Sequence, residues 1–188
     1  MNNGDRDIPD EELLAQFADT GDMAPMERLI ARYTGKVRNT MFQLTGNAGD
    51  ADDLTQEVFL RVVRHAQTFN GNATFATWLY RIAVNTGRTH LKKRLRSPLH
   101  GAAVLLETHM HTERTARQGI AARETGTAMA RALDTLSPKL RTALVLVTIQ
   151  DMPVRDVARI EKCTQATIHW RVFKARQRLR RLLREHLK

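Results

Sequence analysis

The last thirty-five residues constrain this chain most. From Val154 onward, VRDVARIEKCTQATIHWRVFKARQRLRRLLREHLK reads as two helices joined by a tight break, the second strongly basic. That second helix sets Ile168, Val172, Ala175, Leu179, Leu182 and Leu187 on one stripe, at the three-and-four spacing of an amphipathic helix. Its other faces carry eight cations between Arg171 and Lys188, against the single acid Glu185. Such a helix packs on one side and suits a DNA groove on the other, where phosphates line both walls. A basic helix standing alone is more often a solvated face. The short helix before it and the compact turn make a helix-turn-helix, and that favours DNA.

The charge is unevenly spread. The chain has 188 residues and a net charge of +10. Residues 1–60 hold 5 basic and 12 acidic groups, whereas residues 61–96 hold 8 basic groups and no acid. Residues 97–126 balance at 3 and 3, and residues 127–188 carry 14 basic against 5 acidic groups. Two basic patches behind an acidic lead-in imply a nucleic acid touched at two points and a separate partner for the acidic part. A protein that simply coats RNA would lack that lead-in.

The single cysteine, Cys163, excludes an internal disulfide framework and fits a reducing cytoplasm. It falls in the turn of the helix-turn-helix, where a small, partly buried residue is expected. No apolar run approaches the ~20 residues that span a bilayer. The polar, acidic start MNNGDRDIPDEE is unlike a signal peptide. The expectation is a cytoplasmic protein without membrane insertion.

Breaks along the chain define an all-α protein: two small helical domains joined by a flexible linker. Residues 1–8 read as disordered. A short helix then opens at Pro9-Asp10 with Glu11 and Glu12 in its first turn, and a longer one runs from about 23 to 44. Asp50 is the expected N-cap of the helix that follows, and Thr74 that of a helix reaching Arg96. The first domain is therefore 9–96. Ser97-Pro98 stops it, and residues 97–126, with three glycines and little periodicity, form the linker. The second domain is 127–188, with Ser137-Pro138 as cap and first turn of a helix over 139–150. No segment alternates like a strand and no glycine-rich phosphate loop occurs.

At this point the chain resembles a known family. DADDLTQEVFLRVVRHAQTFNGNATFATWLYRIAVNTGRTHLKKR is similar to the second conserved region of bacterial RNA polymerase sigma factors. ALDTLSPKLRTALVLVTIQDMPVRDVARIEKCTQATIHWRVFKARQRL is similar to their fourth. The short chain, with no folded domain between the two, resembles the extracytoplasmic-function group of the sigma-70 family. The resemblance implies a protein that binds core RNA polymerase, recognises minus-ten and minus-thirty-five promoter elements and promotes melting, with no catalysis of its own and no cofactor. The implied partners are the polymerase β′ clamp helices, the β subunit, promoter DNA and an anti-sigma factor. The alternative, from another class, is a stand-alone helix-turn-helix regulator.

The residues can be read beside that resemblance. Asp53, Gln56, Glu57 and Leu60 share one helix face by spacing, an acidic, amide-bearing stripe suited to a basic helical partner. In the family the matching positions bind the β′ clamp helices. For Asp50 and Asp52, favourable charge at a helix start is explanation enough. Arg81, Asn85, Arg88 and Lys92 line one side of the helix ending at Arg96; cations hold phosphates and an asparagine can bond a base edge. By resemblance these residues, with Phe69 and Asn72 in the loop before them, engage the minus-ten element and its extruded base. Trp78 reads as core. Gly71 lets backbone approach a ligand closely. The positions matching minus-thirty-five contacts are Thr167, His169, Trp170, Arg171, Phe173 and Lys174.

Three departures matter. Lys162 stands where the family has its turn glycine, Ala166 replaces another glycine, and His169-Trp170 replaces a basic residue and a serine. The fold is expected to persist while the minus-thirty-five preference changes. By resemblance the two elements lie ~25 base pairs apart, about 85 Å at ~34 Å per turn. A thirty-residue linker reaches at most ~100 Å, enough to bridge them. Its His100, His109 and His111 read as part of a polar tether, with no metal.

Overall fold

The computed structural model describes residues 8–96 and 132–186. The expectations for residues 1–7, the linker with its three histidines, the start of the second domain, Leu187 and Lys188 lie outside the described residues. Ile8, placed above at the end of a disordered lead-in, packs against the first core, and its carbonyl accepts from Arg32 Nη1 at 2.9 Å.

Four helices build the first domain: α1 (Asp10–Thr20), α2 (Met23–Thr45), α3 (Ala48–His65) and α4 (Phe75–Arg96), with a 3-10 turn at Ala66–Thr68. Gly21 ends α1 and Gly46 ends α2, at φ +72° and +71°, a region that costs a side-chain-bearing residue about 1–2 kcal/mol. Asp22 starts α2 by accepting from Ala24 N at 3.1 Å. The start of α3 differs from expectation. Asn47 is its cap, with Oδ1 accepting from Asp50 N at 2.9 Å. Asp50 lies inside the helix and instead meets Arg94 at 3.0 Å and His90 at 3.1 Å on α4. An amide and a carboxylate compete equally well for a cap, and tertiary partners decided the matter.

Leu13, Met26, Leu29, Val37, Met41, Val58, Val62, Phe75 and Leu79 are fully buried together. Each contributes roughly 1.5–3 kcal/mol of apolar burial. Polar ties fix how the helices meet. Asp10 takes Arg32 at 2.8 Å and the Tyr33 hydroxyl at 2.5 Å, joining α1 to α2. Arg38 pairs with Asp52 at 2.5 Å, joining α2 to α3.

In the second domain residues 132–134 are helical, followed by α5 (Pro138–Leu144), α6 (Val154–Glu161) and α7 (Gln165–His186). Pro138 opens α5 as expected, but the Ser137 side chain makes no cap bond. The helix expected over 139–150 widens at Val145–Ile149 into a π turn, where Gln150 N reaches back five residues to Val145 O at 3.1 Å. Val145, Val147 and Ile149 are β-branched and crowd an ordinary helical turn. Asp151 then takes a positive φ of 51° and breaks the chain.

Between α6 and α7, Lys162 adopts φ 51° and ψ 50°, and Cys163 N bonds Ala158 O at 3.0 Å. This is a helix-ending motif that ordinarily uses glycine. Lys162→Gly is therefore expected to stabilise the second domain by ~1 kcal/mol. Thermal denaturation should show a melting point raised by a few degrees; a fall would mean that the lysine side chain contributes more than its backbone costs.

Ile168, Val172, Ala175 and Leu179 face inward as their spacing required, against Leu146, Val157 and Ile160. The two domains are in direct contact: Tyr80 and Val84 of α4 are buried in the second domain's core. Among the described residues no helix is long and apolar enough to cross a membrane.

Candidate nucleic-acid interface

Three surfaces carry the residues singled out above. The first is α3. Asp53 and Gln56 are exposed and Leu60 is 51% exposed, on one face of the helix. Glu57 is half-buried and pairs with Arg61, one turn on, at 2.7 Å. Its charge is thus partly satisfied within the helix. The stripe available to a partner is one amide, one free-standing carboxylate position and one apolar side chain, with Glu57 at its edge.

The second surface is the start of α4 and the loop before it. Thr74 caps the helix as expected, its Oγ1 accepting from Thr77 N at 3.2 Å. A second cap was not legible. Glu11 of α1, read above as a first-turn acid, accepts from Phe75 N at 2.7 Å across 64 residues of sequence. A carboxylate at a helix start is favoured by the helix dipole as well as by the bond. It ties α1 to the loop from Phe69 to Thr74. In that loop Phe69 is half-buried, its ring edge-on to Trp78 at 5.6 Å and 66°. Trp78 is 6% exposed and belongs to the core, as read. Gly71 has φ +71°, and an added Cβ would meet nothing within 4 Å, so backbone conformation alone requires glycine there. Asn72 is exposed, and its N–H bonds Asn70 Oδ1 at 3.2 Å. Along the helix Arg81, Asn85 and Lys92 are exposed. Arg88 is not displayed with them: its Nη2 donates to Glu161 of α6.

The third surface is α7. Thr164 caps it just as Thr74 caps α4, accepting from Thr167 N at 3.2 Å with the two hydroxyls 2.9 Å apart. Thr167 is therefore part of the cap. His169 and Lys174 are exposed, and Trp170 and Phe173 stand 57% and 61% exposed. Aromatic side chains of that size on the outside of a small domain mark a binding surface more often than an accident. Arg171 departs from the group. Its side chain is 11% exposed and its Nη1 donates to Glu161 Oε2 at 2.7 Å. Glu161 was singled out by no sequence pattern, because its partners lie 73 and 10 residues away.

Among the described residues, no three His, Cys, Asp or Glu side chains converge as metal ligands would. Two exposed basic helices with matching threonine caps, one presenting asparagine and the other aromatics, suit phosphates and base edges.

Two family descriptions match the chain: Sigma-70 region 2 over residues 29–97 and Sigma-70, region 4 over residues 127–179. The RNA polymerase sigma-H factor of Pseudomonas aeruginosa is 27% identical over 185 residues, spanning 95% of this chain and 96% of its own. The ECF RNA polymerase sigma-E factor of Haemophilus influenzae is 29% identical over 175 residues, spanning 89% and 92%. The fold is similar to that of the sigma factor RpoE from Bartonella quintana, solved with the anti-sigma factor NepR. That match has a TM-score of 0.66 at 22% identity and covers 85% of this chain and 96% of that one.

Proposed function

The chain belongs to the sigma-70 family of RNA polymerase sigma factors, and from that premise we propose how its surfaces divide the work. It binds core RNA polymerase and directs it to promoters, acting by binding and without catalysis of its own. Residues 9–96 serve as region 2 and residues 127–188 as region 4, with 97–126 between them. The α3 stripe of Asp53, Gln56, Glu57 and Leu60 docks on the β′ clamp helices. The loop at Phe69 and Asn72, with Arg81, Asn85, Arg88 and Lys92, engages the minus-ten element. Thr167, His169, Trp170, Arg171, Phe173 and Lys174 belong to the minus-thirty-five surface.

The observation that supports this reading best is the exposed α3 stripe beside a base-capture loop. A stand-alone helix-turn-helix regulator needs neither. An anti-sigma partner fits the same picture, since both basic helices and α3 are open to a covering protein. The test is selection of genomic fragments by core polymerase loaded with this chain. Enrichment of a two-part motif of fixed spacing is expected. Enrichment of a single palindrome by the chain alone favours the regulator.

Asn85 separates melting from docking. Asn85→Ala is expected to leave core binding unchanged and to weaken the minus-ten contact by ~1–3 kcal/mol. Permanganate footprinting should then show slower exposure of unpaired thymines. Equal reactivity in variant and parent assigns Asn85 a structural role.

A further inference from the structure

The match to region 2 begins at residue 29, so α1 stands ahead of it. The first turn of α1 nevertheless reaches the minus-ten surface, by two routes that end on one residue, Phe75.

The first route runs to the backbone. Glu11 Oε1 accepts from Phe75 N at 2.7 Å. That N–H opens α4, where no carbonyl one turn back can receive it. Thr74 Oγ1 satisfies Thr77 N and leaves this earlier donor to Glu11. The second route runs to the ring. Asp10 Oδ2 accepts from Tyr33 Oη at 2.5 Å, and the Tyr33 ring lies edge-on to that of Phe75 at 5.3 Å. Burial, and then the Asp10 carboxylate, push the Tyr33 phenol up, so it stays a donor. Arg32 locks the same turn, its Nη1 donating to Ile8 O at 2.9 Å and to Asp10 Oδ1 at 2.8 Å.

Phe75 in turn ends the loop from Phe69 to Thr74. At the loop's other end Phe69 N bonds Ala66 O at 3.1 Å, and the Phe69 ring meets Trp78. Between the ends, the bond from Asn72 N to Asn70 Oδ1 is internal to the loop, and Gly71 has open space around it. The loop has two fixed ends and an open middle, and α1 supplies a hydrogen bond at one of those ends.

We propose that Glu11 is a positioning residue for minus-ten recognition: through Phe75 N it holds the capture loop in the shape that receives an extruded base. The inference rests on the assignment of that loop to the minus-ten element. A loop already held in its bound shape spares the cost of ordering on capture. A wrong base that never enters the loop gains nothing from this. Loosening the anchor therefore weakens the cognate complex and leaves the others as they were.

Three substitutions separate the bond from the charge. Glu11→Gln keeps an acceptor without the charge, Glu11→Asp keeps the charge but ends about 1.5 Å short of Phe75 N, and Glu11→Ala keeps neither. Core polymerase loaded with the full-length parent or variant is titrated with a single-stranded oligonucleotide carrying the minus-ten element found by genomic selection. The same strand with each base of the element replaced in turn serves as comparison. Glu11→Ala and Glu11→Asp are expected to bind the selected strand about fivefold more weakly than the parent, which is what one capping bond commands. Their affinity for the strand replaced at the captured base should match the parent's, and Glu11→Gln should match the parent throughout. Glu11 is exposed and alanine suits a helix, so circular dichroism should show all three variants folded. Should Glu11→Ala prove unfolded, the comparison of Glu11→Asp with Glu11→Gln decides alone. Equal discrimination by parent and variants overturns the proposal. So does discrimination that follows the charge, with Glu11→Asp like the parent and Glu11→Gln weakened. A parent that binds every strand alike overturns the minus-ten assignment itself, and the proposal with it.

Discussion

Gln56→Ala combined with Glu57→Lys is expected to abolish retention on core polymerase while the protein stays helical. The pair lies on the outward stripe of α3, beside exposed Asp53 and a Leu60 that is 51% exposed. Reversing a charge against a basic partner removes an attraction and adds a repulsion, and such juxtapositions cost several kcal/mol. The loss within the fold is small by comparison. Glu57 bonds Arg61 at 2.7 Å and is half-exposed, so the pair contributes little, and a lysine facing that arginine costs about 0.5 kcal/mol. Pull-down with core enzyme, alongside far-ultraviolet circular dichroism, measures both effects. Full retention of the variant on the enzyme contradicts the docking assignment. Loss of helicity would move the effect from docking to folding.

Phe75→Ala is expected to destabilise the first domain by ~3–5 kcal/mol, a large share of a typical small domain's stability. Phe75 is fully buried at the first position of α4. Its ring lies edge-on to Tyr33 at 5.3 Å and 71°, and 6.1 Å from Trp78. Its backbone N–H is the one that Glu11 caps. Truncation leaves a cavity beside Tyr33 and Trp78, next to the loop from Phe69 to Thr74. Thermal denaturation should show a melting point lower by at least ~10 °C. A shift of only a degree or two would mean that Tyr33 and Trp78 close over the gap, and that Phe75 does not anchor the loop.

The elements were legible where a local rule governs them. Three-and-four spacing gave the inward stripe of Ile168, Val172, Ala175 and Leu179, and it put Trp78 in the core. Thr74 was found because a cap lies next to the helix it starts. The failures share a physical origin: their partners are remote in sequence. Asp50 and Asn47 are equivalent as caps, and only Arg94 and His90, on another helix, draw Asp50 into a different role. Glu11 looks like any first-turn acid until α4 is folded against it. The bonds that Arg88 and Arg171 make to Glu161 were likewise beyond any local pattern. Periodicity counts positions on a face and is blind to a buried charge on another element that competes for one of them. Val84 buried in the second domain's core, and Tyr80 bonded to Gln150, join the two domains through residues too remote in sequence for a local rule to pair.

As a sigma factor, this chain supplies promoter specificity to a polymerase. Run-off transcription measures it directly, using core enzyme, a fragment selected by the loaded polymerase, and this chain added or withheld. A transcript with one defined start is expected when the chain is present, none in its absence, and loss of that transcript when either element of the fragment is scrambled. A transcript independent of the chain, or repression of one that core enzyme makes without it, would instead mark the chain as no sigma factor.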